Sequence, residues 1–208
     1  NKKKKKKRKD KPKSNIIRTV EQSDHVDYLL PFLVPQLLLQ FASNSTSLTS
    51  RIDKIREKLT DLILKILKPE DKRIITVCKH LICRVPDKSH LRRGVAQTIF
   101  KISKSSIYIK DIIEFIVKAS KATKIGIRSF SSLLVQLYLV NISEISQHFG
   151  DESSEIVISL STVLKRQLMD QAPTVRAIAL EGVSQIIDGL FLESNQFGTI
   201  ISNVIDSN

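Results

Sequence analysis

The chain has no tryptophan, and tyrosine and phenylalanine together leave aromatics at only 5% of its 208 residues. Convincing period-two alternation is also missing, and glycine and proline number six each. An all-β sandwich or barrel needs many short, aromatic and β-branched strands punctuated by turn residues, so that class is disfavoured and aliphatic helices are expected. Two cysteines give no disulfide framework and point to a reducing compartment. The chain lacks a run of about 18 apolar residues that could span a bilayer. Its lysine-rich beginning is not followed by the apolar stretch and small-residue site of a secretion signal, so no membrane partner is expected. A Gly-rich phosphate loop, a Gly-x-Ser-x-Gly elbow and a carboxylate pair with a plausible cleft are absent as well. The expectation is therefore a non-enzyme without cofactor, metal or small-molecule substrate. The opening at Asn1 and the apolar-polar pattern Ile200, Ile201, Val204, Ile205 at the end read as a piece cut from something larger.

What is present is positive charge, unevenly placed. The net charge is +13. Residues 1 to 13 hold ten Lys or Arg against the single acid Asp10, which leaves the other 195 residues only mildly basic at +4. Like charges in a block repel one another and bury nothing, so residues 1–23 are expected to form a disordered tail. Lys4, Lys5, Lys6, Lys7, Arg8 and Lys9 are the candidates for contact with nucleic acid or an import receptor, and they point to the nucleus.

From Asp24 onward the apolar residues recur at helical spacing. A first helix over Asp24 to Ala42 contains Pro31 and Pro35 and should be kinked or split there. Ile52, Ile55, Leu59, Leu62, Ile63, Ile66 and Leu67 form the stripe of a second, capped by Thr49 or Ser50 and stopped by Pro69. A third runs over Glu70 to Val85, with Ile74, Cys78, Leu81, Ile82 and Val85 as its core and Pro86 after it. Next come Leu91, Val95, Ile99, Ile102; then Ile109, Ile112, Ile113, Ile116, Val117; then Ile127, Phe130, Leu134, Leu137. After Gly150 a helix carries Ile156, Leu160, Val163, Leu164 and Leu168, with Lys165 on its outer face. The last has Pro173 near its first turn and Val175, Ile178, Ala179, Gly182, Val183, Ile186 and Ile187 on one face. Gly182 on that face implies a close helix approach.

Three segments superpose on an apolar-Arg pair that opens the second helix of a helix pair: Leu91-Arg92, Ile127-Arg128 and Val175-Arg176. The spacings, 36 and 48 residues, bracket the ~40 to 47 of HEAT and armadillo units, with an insert around Ser143 to Ser154 in the longer one. A fixed period means stacked units, each unable to bury its face alone. The fold expected is all-α, a right-handed α-solenoid of HEAT/armadillo-like helix pairs over residues 24–208, with the clearest repeat at 155–189. Around Asp170, Pro173, Val175, Arg176 and Ala179 the sequence follows the HEAT signature. Asp170 is placed to accept from unpaired N–H groups of the next helix, and Arg176 to pair with a turn carboxylate of its own or the adjacent unit. Nothing acidic precedes Arg128, so a polar ladder should break there.

The run Ile112 to Leu139, with the turn Lys118-Ala119-Ser120-Lys121-Ala122-Thr123-Lys124-Ile125 before Arg128, followed by Ala172-Pro173-Thr174-Val175-Arg176 and Ala179-Leu180, resembles the D-type HEAT subunit of condensin II. The helix Leu91 to Ile102, with Arg92 and Gln97, fits the same stretch, and the resemblance spans residues 88 to 188. It implies a large nuclear, chromosome-bound scaffold that binds the kleisin subunit, contacts SMC ATPase heads and DNA, acts in mitotic chromosome condensation and catalyses nothing. The other class to weigh is a different HEAT scaffold, either a phosphatase scaffold or a nuclear transport receptor. Receptors that read basic signals present acidic surfaces, which the body of this chain lacks.

Cys78, His80, Cys83 and His90 lie close in sequence, but on a helix Cys78 and Cys83 fall about 140° apart, and the spacing matches no common zinc pattern. His25 and His148 read as surface residues, as do Ser131-Ser132 and Ser153-Ser154. Lys101, Lys104, Lys110, Lys118, Lys121, Lys124 and Arg128 form a basic run across two turns, and Lys118, Lys121, Lys124 and Arg128 in it are the candidate DNA-facing ridge, expected to make sequence-independent, salt-sensitive contact.

Overall fold

In the computed structural model, residues 49–84 and 89–190 are described, and among them every regular element is helical. The tail with Lys4 to Lys9, the proline-containing helix over Asp24 to Ala42, His25, Val85 and the pattern Ile200 to Ile205 lie outside the described residues. The aliphatic stripe from Ile52 winds as α1 (Thr49–Ile66), ending three residues before Pro69. Helix α2 (Arg73–Cys83) buries Ile74, Cys78, Leu81 and Ile82. It begins later than Glu70 because Asp71 sets its start: the Asp71 carboxylate accepts the backbone N–H of Arg73 at 2.9 Å and the same residue's guanidinium. Then follow α3 (Ser89–Ser103), α4 (Ile109–Ala119) and α5 (Ile125–Val140). The predicted core residues Val95, Ile99, Ile102, Ile109, Ile112, Ile113, Ile116, Phe130 and Leu134 are buried, while Ile127 and Leu137 are half-buried.

The insert between the longer-spaced units is itself helical. A one-turn helix α6 (Ile142–Ile145) and two 3-10 turns, Ser146–His148 and Gly150–Glu152, fold back so that Ile142, Ile145 and Phe149 enter the core. Gly150 turns the chain with φ of 52°, a left-handed conformation that glycine takes without a Cβ clash. Helix α7 (Ser153–Leu168) buries Ile156, Leu160, Val163 and Leu164, and α8 (Pro173–Leu190) starts at Pro173, where no N–H is needed. Two expectations need correction on these helices. Lys165 is half-buried rather than outward, and Ile187 is exposed although it continues the apolar stripe of α8.

The helices sort into two rows, α1, α3, α5 and α8 in one and α2, α4 and α7 in the other. Helix α1 packs on α3, α3 on α5 and α5 on α8, while α2 packs on α4 and α4 touches α7. Helix α5 lies where the rows meet, against α2, α3, α4, α7 and α8. That position explains its weak amphipathicity: with neighbours on most sides, even its serines are enclosed. Ser131 and Ser132 are fully buried, so the surface reading of that pair is wrong. Small side chains there let the next helix come close, and the Ser131 hydroxyl donates to the Ile127 carbonyl at 2.9 Å. The close approach expected at Gly182 is present, since a Cβ there would stand 3.2 Å from Cβ and Cγ of Gln136 on α5. Among the described residues no single helix is long and apolar enough to cross a membrane; α5 with Ile142–His148 has the composition only as a pair bent by 79°.

Candidate functional site

The turns that join α4 to α5 and α7 to α8 come together at one edge of the two rows, and hydrogen bonds tie one to the other. Arg128, in the first turn of α5, donates from one nitrogen to the carbonyls of Ala122 and Thr123, both at 2.9 Å. Arg176, in the first turn of α8, donates likewise to the carbonyls of Asp170 and Gln171 at 2.8 and 3.0 Å. In both cases the acceptors lie six and five residues upstream, so the two arginines close the same turn in successive units. Arg92 of α3 reaches forward to α5, where a Cβ on Gly126 would lie 3.6 Å from its guanidinium. The four acceptors are turn carbonyls that follow the ends of α4 and α7, and buried backbone carbonyls need such donors.

The polar ladder expected to break at Arg128 does not break. Arg128 reaches into the next unit and meets Asp170, Nε to Oδ2 at 2.8 Å and the second terminal nitrogen to Oδ1 at 3.0 Å. Asp170 also accepts the backbone N–H of Ala172 at 2.8 Å, a turn residue just before α8 rather than one of the helix's own N–H groups, which corrects its expected capping contact. The Arg128 hydrogen bond holds the Asp170 carboxyl below the usual carboxylate range, and Asp170 in turn raises the pKa of Arg128. Arg176 binds turn carbonyls rather than a carboxylate, which corrects its expected partner. Val175 and Ala179 are fully buried beneath this turn, and Pro173 is exposed at its rim.

Arg128 is therefore engaged on all sides and does not belong to a DNA-facing ridge. The three other members of that ridge are exposed: Lys118 in the last turn of α4, Lys121 and Lys124 in the turn after it. Arg84 after α2 and Arg166 at the end of α7 extend the same edge, the latter donating to the hydroxyl of Ser120. Sequence reasoning missed Arg166, although it stands 48 residues after Lys118, the offset that separates Arg128 from Arg176. The carboxylate in these described turns is Asp170, and Arg128 already neutralises it.

The opposite edge has another character. There the turns between units are joined backbone to backbone, Ile107 N–H donating to the Pro69 carbonyl at 3.2 Å and the Ser106 hydroxyl to the same oxygen at 3.0 Å. Three ion pairs lie there, Arg73 with Asp71, Lys104 with Glu144 at 2.9 Å, and Lys110 with Glu152, so Lys104 and Lys110 leave the basic run to which the sequence assigned them, while Lys68 and Lys72 are exposed. The Glu152 contact raises the pKa of Lys110, and the Arg73 contact lowers that of Asp71.

Two grooves lie on the row faces. One, of about 570 Å³, runs between α2 and α4, with the Lys79 ammonium 5.3 Å from the Phe115 ring centre and Lys118 at its border. The other, of about 120 Å³, lies over α5 with Ala96, Leu133, Leu137 and Val140 as its apolar lining. It is spanned by a chain of polar contacts, Arg93 to Glu181, Gln185 to Glu181 and Gln136 to Gln185, which joins α3, α8 and α5. Cys78 is buried and Cys83 exposed, so their thiols part as the helical spacing requires, while His80 is half-buried and His148 exposed. His90 has no described side chain. Comparison of the chain with protein families, curated proteins and solved structures finds no match.

Proposed function

We propose that this chain is a non-catalytic HEAT-type scaffold, a right-handed solenoid segment that holds a nucleic-acid backbone along its basic edge and a partner protein across its helix rows. The observation that carries the reading is the segregation of charge. One edge leaves Arg84, Lys118, Lys121, Lys124 and Arg166 without carboxylate partners in its described turns, while the other edge holds acids, Asp71, Glu144 and Glu152, that pair with Arg73, Lys104 and Lys110. Clustered, solvated cations of this kind bind phosphates by counter-ion release, without reading sequence. The repeated arginine closure at Arg128 and Arg176 and the two-row packing support the HEAT-type solenoid. The resemblance over residues 88 to 188 supports the narrower reading, a D-type subunit of condensin II that works in the nucleus on mitotic chromosomes with a kleisin, SMC ATPase heads and DNA.

The test is DNA retention by the full chain and by the chain lacking residues 1–13, each with and without Lys118→Glu, Lys121→Glu and Lys124→Glu together. The edge reading expects the triple variant to weaken binding in both backgrounds and to reduce the log-log salt slope by about 0.9 per lost phosphate contact. Unchanged retention in the tail-less chain would remove nucleic acid from this edge. Purification of the endogenous complex tests the partner: two SMC ATPases with a kleisin support condensin, whereas a phosphatase catalytic subunit or transport cargo keeps the scaffold and discards the chromosome role.

A further inference from the structure

The smaller groove, over α5, differs in its chemistry from the basic edge. Its lining holds one formal charge, Arg93, which already meets Glu181, and no aromatic side chain. A phosphate backbone therefore finds no free cation in that lining, and a base finds no ring to stack on. At about 120 Å³ the groove also falls well below the roughly 300–1,000 Å³ of small-molecule sites. What it holds is an apolar floor on α5, Leu133, Leu137 and Val140, and three carboxamides from three successive helices of the row, Gln97 of α3, Gln136 of α5 and Gln185 of α8. Two of the carboxamides are hydrogen-bonded in one direction. Gln185 donates to Glu181 at 3.5 Å, Gln136 donates to Gln185, and the run ends at Gln136, whose Oε1 has no donor although the residue is only 4% exposed. A buried acceptor left open costs stability, and packing alone gives no reason to keep it.

We propose that this groove takes an extended, uncharged peptide segment of a partner protein, its backbone paired with Gln136 and Gln97 and one aliphatic side chain set on Leu133, Leu137 and Val140. The inference rests on the partner-binding half of the reading above and names the chemistry of that partner. A carboxamide presents an N–H donor and a C=O acceptor side by side, the same two groups that each residue of an extended chain presents. Gln185 is exposed and its contact with Glu181 is long, so its side chain can turn aside. Gln136 then offers Oε1 to a peptide N–H and Nε2 to a peptide carbonyl, and the exposed Gln97 supplies a second such pair. Side chains of an extended strand alternate between two faces, so one of two neighbours meets the floor, and about 120 Å³ suits a single aliphatic side chain. Main-chain bonds supply the affinity and the floor selects the residue. A charged residue there would give up its water without a counter-charge, because Arg93 and Glu181 satisfy each other.

Peptide selection tests the proposal. A random peptide library displayed on phage is selected on the full chain and counter-selected on the full chain carrying Val140→Trp, a substitution at the exposed rim that fills the groove and spares the core. The selected peptides should share an uncharged stretch with an aliphatic residue, and as synthetic probes they should bind Gln136→Leu and the exposed Gln97→Leu about tenfold more weakly than the parent. N-methylation of the probe's backbone beside the aliphatic residue should weaken it similarly. Gln136→Leu should melt no lower than the parent, because it removes an acceptor that has no donor. Lower melting with unchanged probe binding would make this amide a packing residue and overturn the proposal, as would a library that yields nothing distinguishing the parent from Val140→Trp. DNA retention by Val140→Trp should equal the parent's, and its loss would assign the groove to nucleic acid instead. Groove and edge thus fail separately, since the Lys118, Lys121 and Lys124 substitutions should leave probe binding unchanged.

Discussion

Arg128 on α5 grips Asp170 of the following turn through two parallel N–H···O bonds while holding the carbonyls of its own turn, so one side chain closes one unit and fastens the next. The side chains are only 18% and 13% exposed, which spares the pair most of the screening that makes surface ion pairs weak. Removing Arg128 strands a partly buried carboxylate and leaves two turn carbonyls without their donor. Arg128→Ala should cost about 2–3 kcal/mol in a denaturant titration. Arg128→Lys should recover little of it, because an ammonium cannot supply the forked geometry that meets both oxygens and both carbonyls. Full recovery by lysine would mean that charge alone matters.

The same contact makes stability pH-dependent at the acid end. Asp170 and Asp71 both have lowered folded-state pKa values, each through its arginine. A depressed carboxylate stabilises the fold fully above its unfolded pKa of about 3.9 and loses that contribution as pH falls through the lower folded value. Melting temperature should therefore drop below about pH 4. Asp170→Asn keeps an oxygen for the Ala172 N–H but removes the titrating charge, and should flatten part of that fall. An identical acid profile for wild type and variant would place the acid sensitivity elsewhere.

Much of this arrangement was legible from periodicity, and what escaped it has physical causes. Helix centres followed from the i, i+3, i+4 spacing because each helix buries one face, as Ile109, Ile112, Ile113 and Ile116 do in α4. Helix α5 was the hard case: enclosed on several sides, it buries Ser131 and Ser132, which a two-face pattern assigns to solvent. The start of α2 moved because the Asp71 side chain competes with the helix for the Arg73 N–H. The Arg128 partner lay 42 residues away, beyond any local rule, and became visible only once the rows had brought neighbouring turns together. Of the candidate ridge, Lys118, Lys121 and Lys124 are exposed, but no sequence signal separated them from the occupied Arg128.

The two cysteines should differ sharply in reactivity. Cys78 is enclosed in α2, and burial pushes its thiol up to about 12, whereas Cys83 one turn later is exposed. Since the thiolate is the nucleophile, a maleimide or disulfide reagent near pH 8 should label one thiol per native chain, at Cys83, and two after denaturation. Equal labelling of both in native buffer would show that α2 opens far more readily than its packing implies.

Tyr138 provides a test of the core's polar bookkeeping. Its ring meets Phe100 edge-on at 5.3 Å and 86°, and its phenol is hydrogen-bonded to Ser103, whose own hydroxyl reaches the Phe100 carbonyl at 3.2 Å. With Ser103 donating to that carbonyl, the phenol is the donor to Ser103. Tyr138→Phe then removes one bond and leaves no buried donor stranded, at about 1 kcal/mol. Ser103→Ala leaves the buried phenol without its acceptor and should cost more, about 1–3 kcal/mol. The reverse order in equilibrium unfolding would mean that the serine is the donor to the phenol.

Val175 tests the seat of α8. It is fully buried at the first turn of the helix, below the closure formed by Arg176 and the Asp170 turn. An aspartate there would place a charge where neither water nor a free cation can reach it, because Arg128 already holds Asp170 and Arg176 already holds two carbonyls. Val175→Asp should destabilise by roughly 3–5 kcal/mol. Lys121→Ala, on the exposed turn, should stay within about 0.5 kcal/mol of the parent, and serves as the reference in place of the half-buried Lys165. Equal midpoints for the two variants would mean that α8 does not pack through Val175, and with that the arginine register linking α8 to α5 would fall.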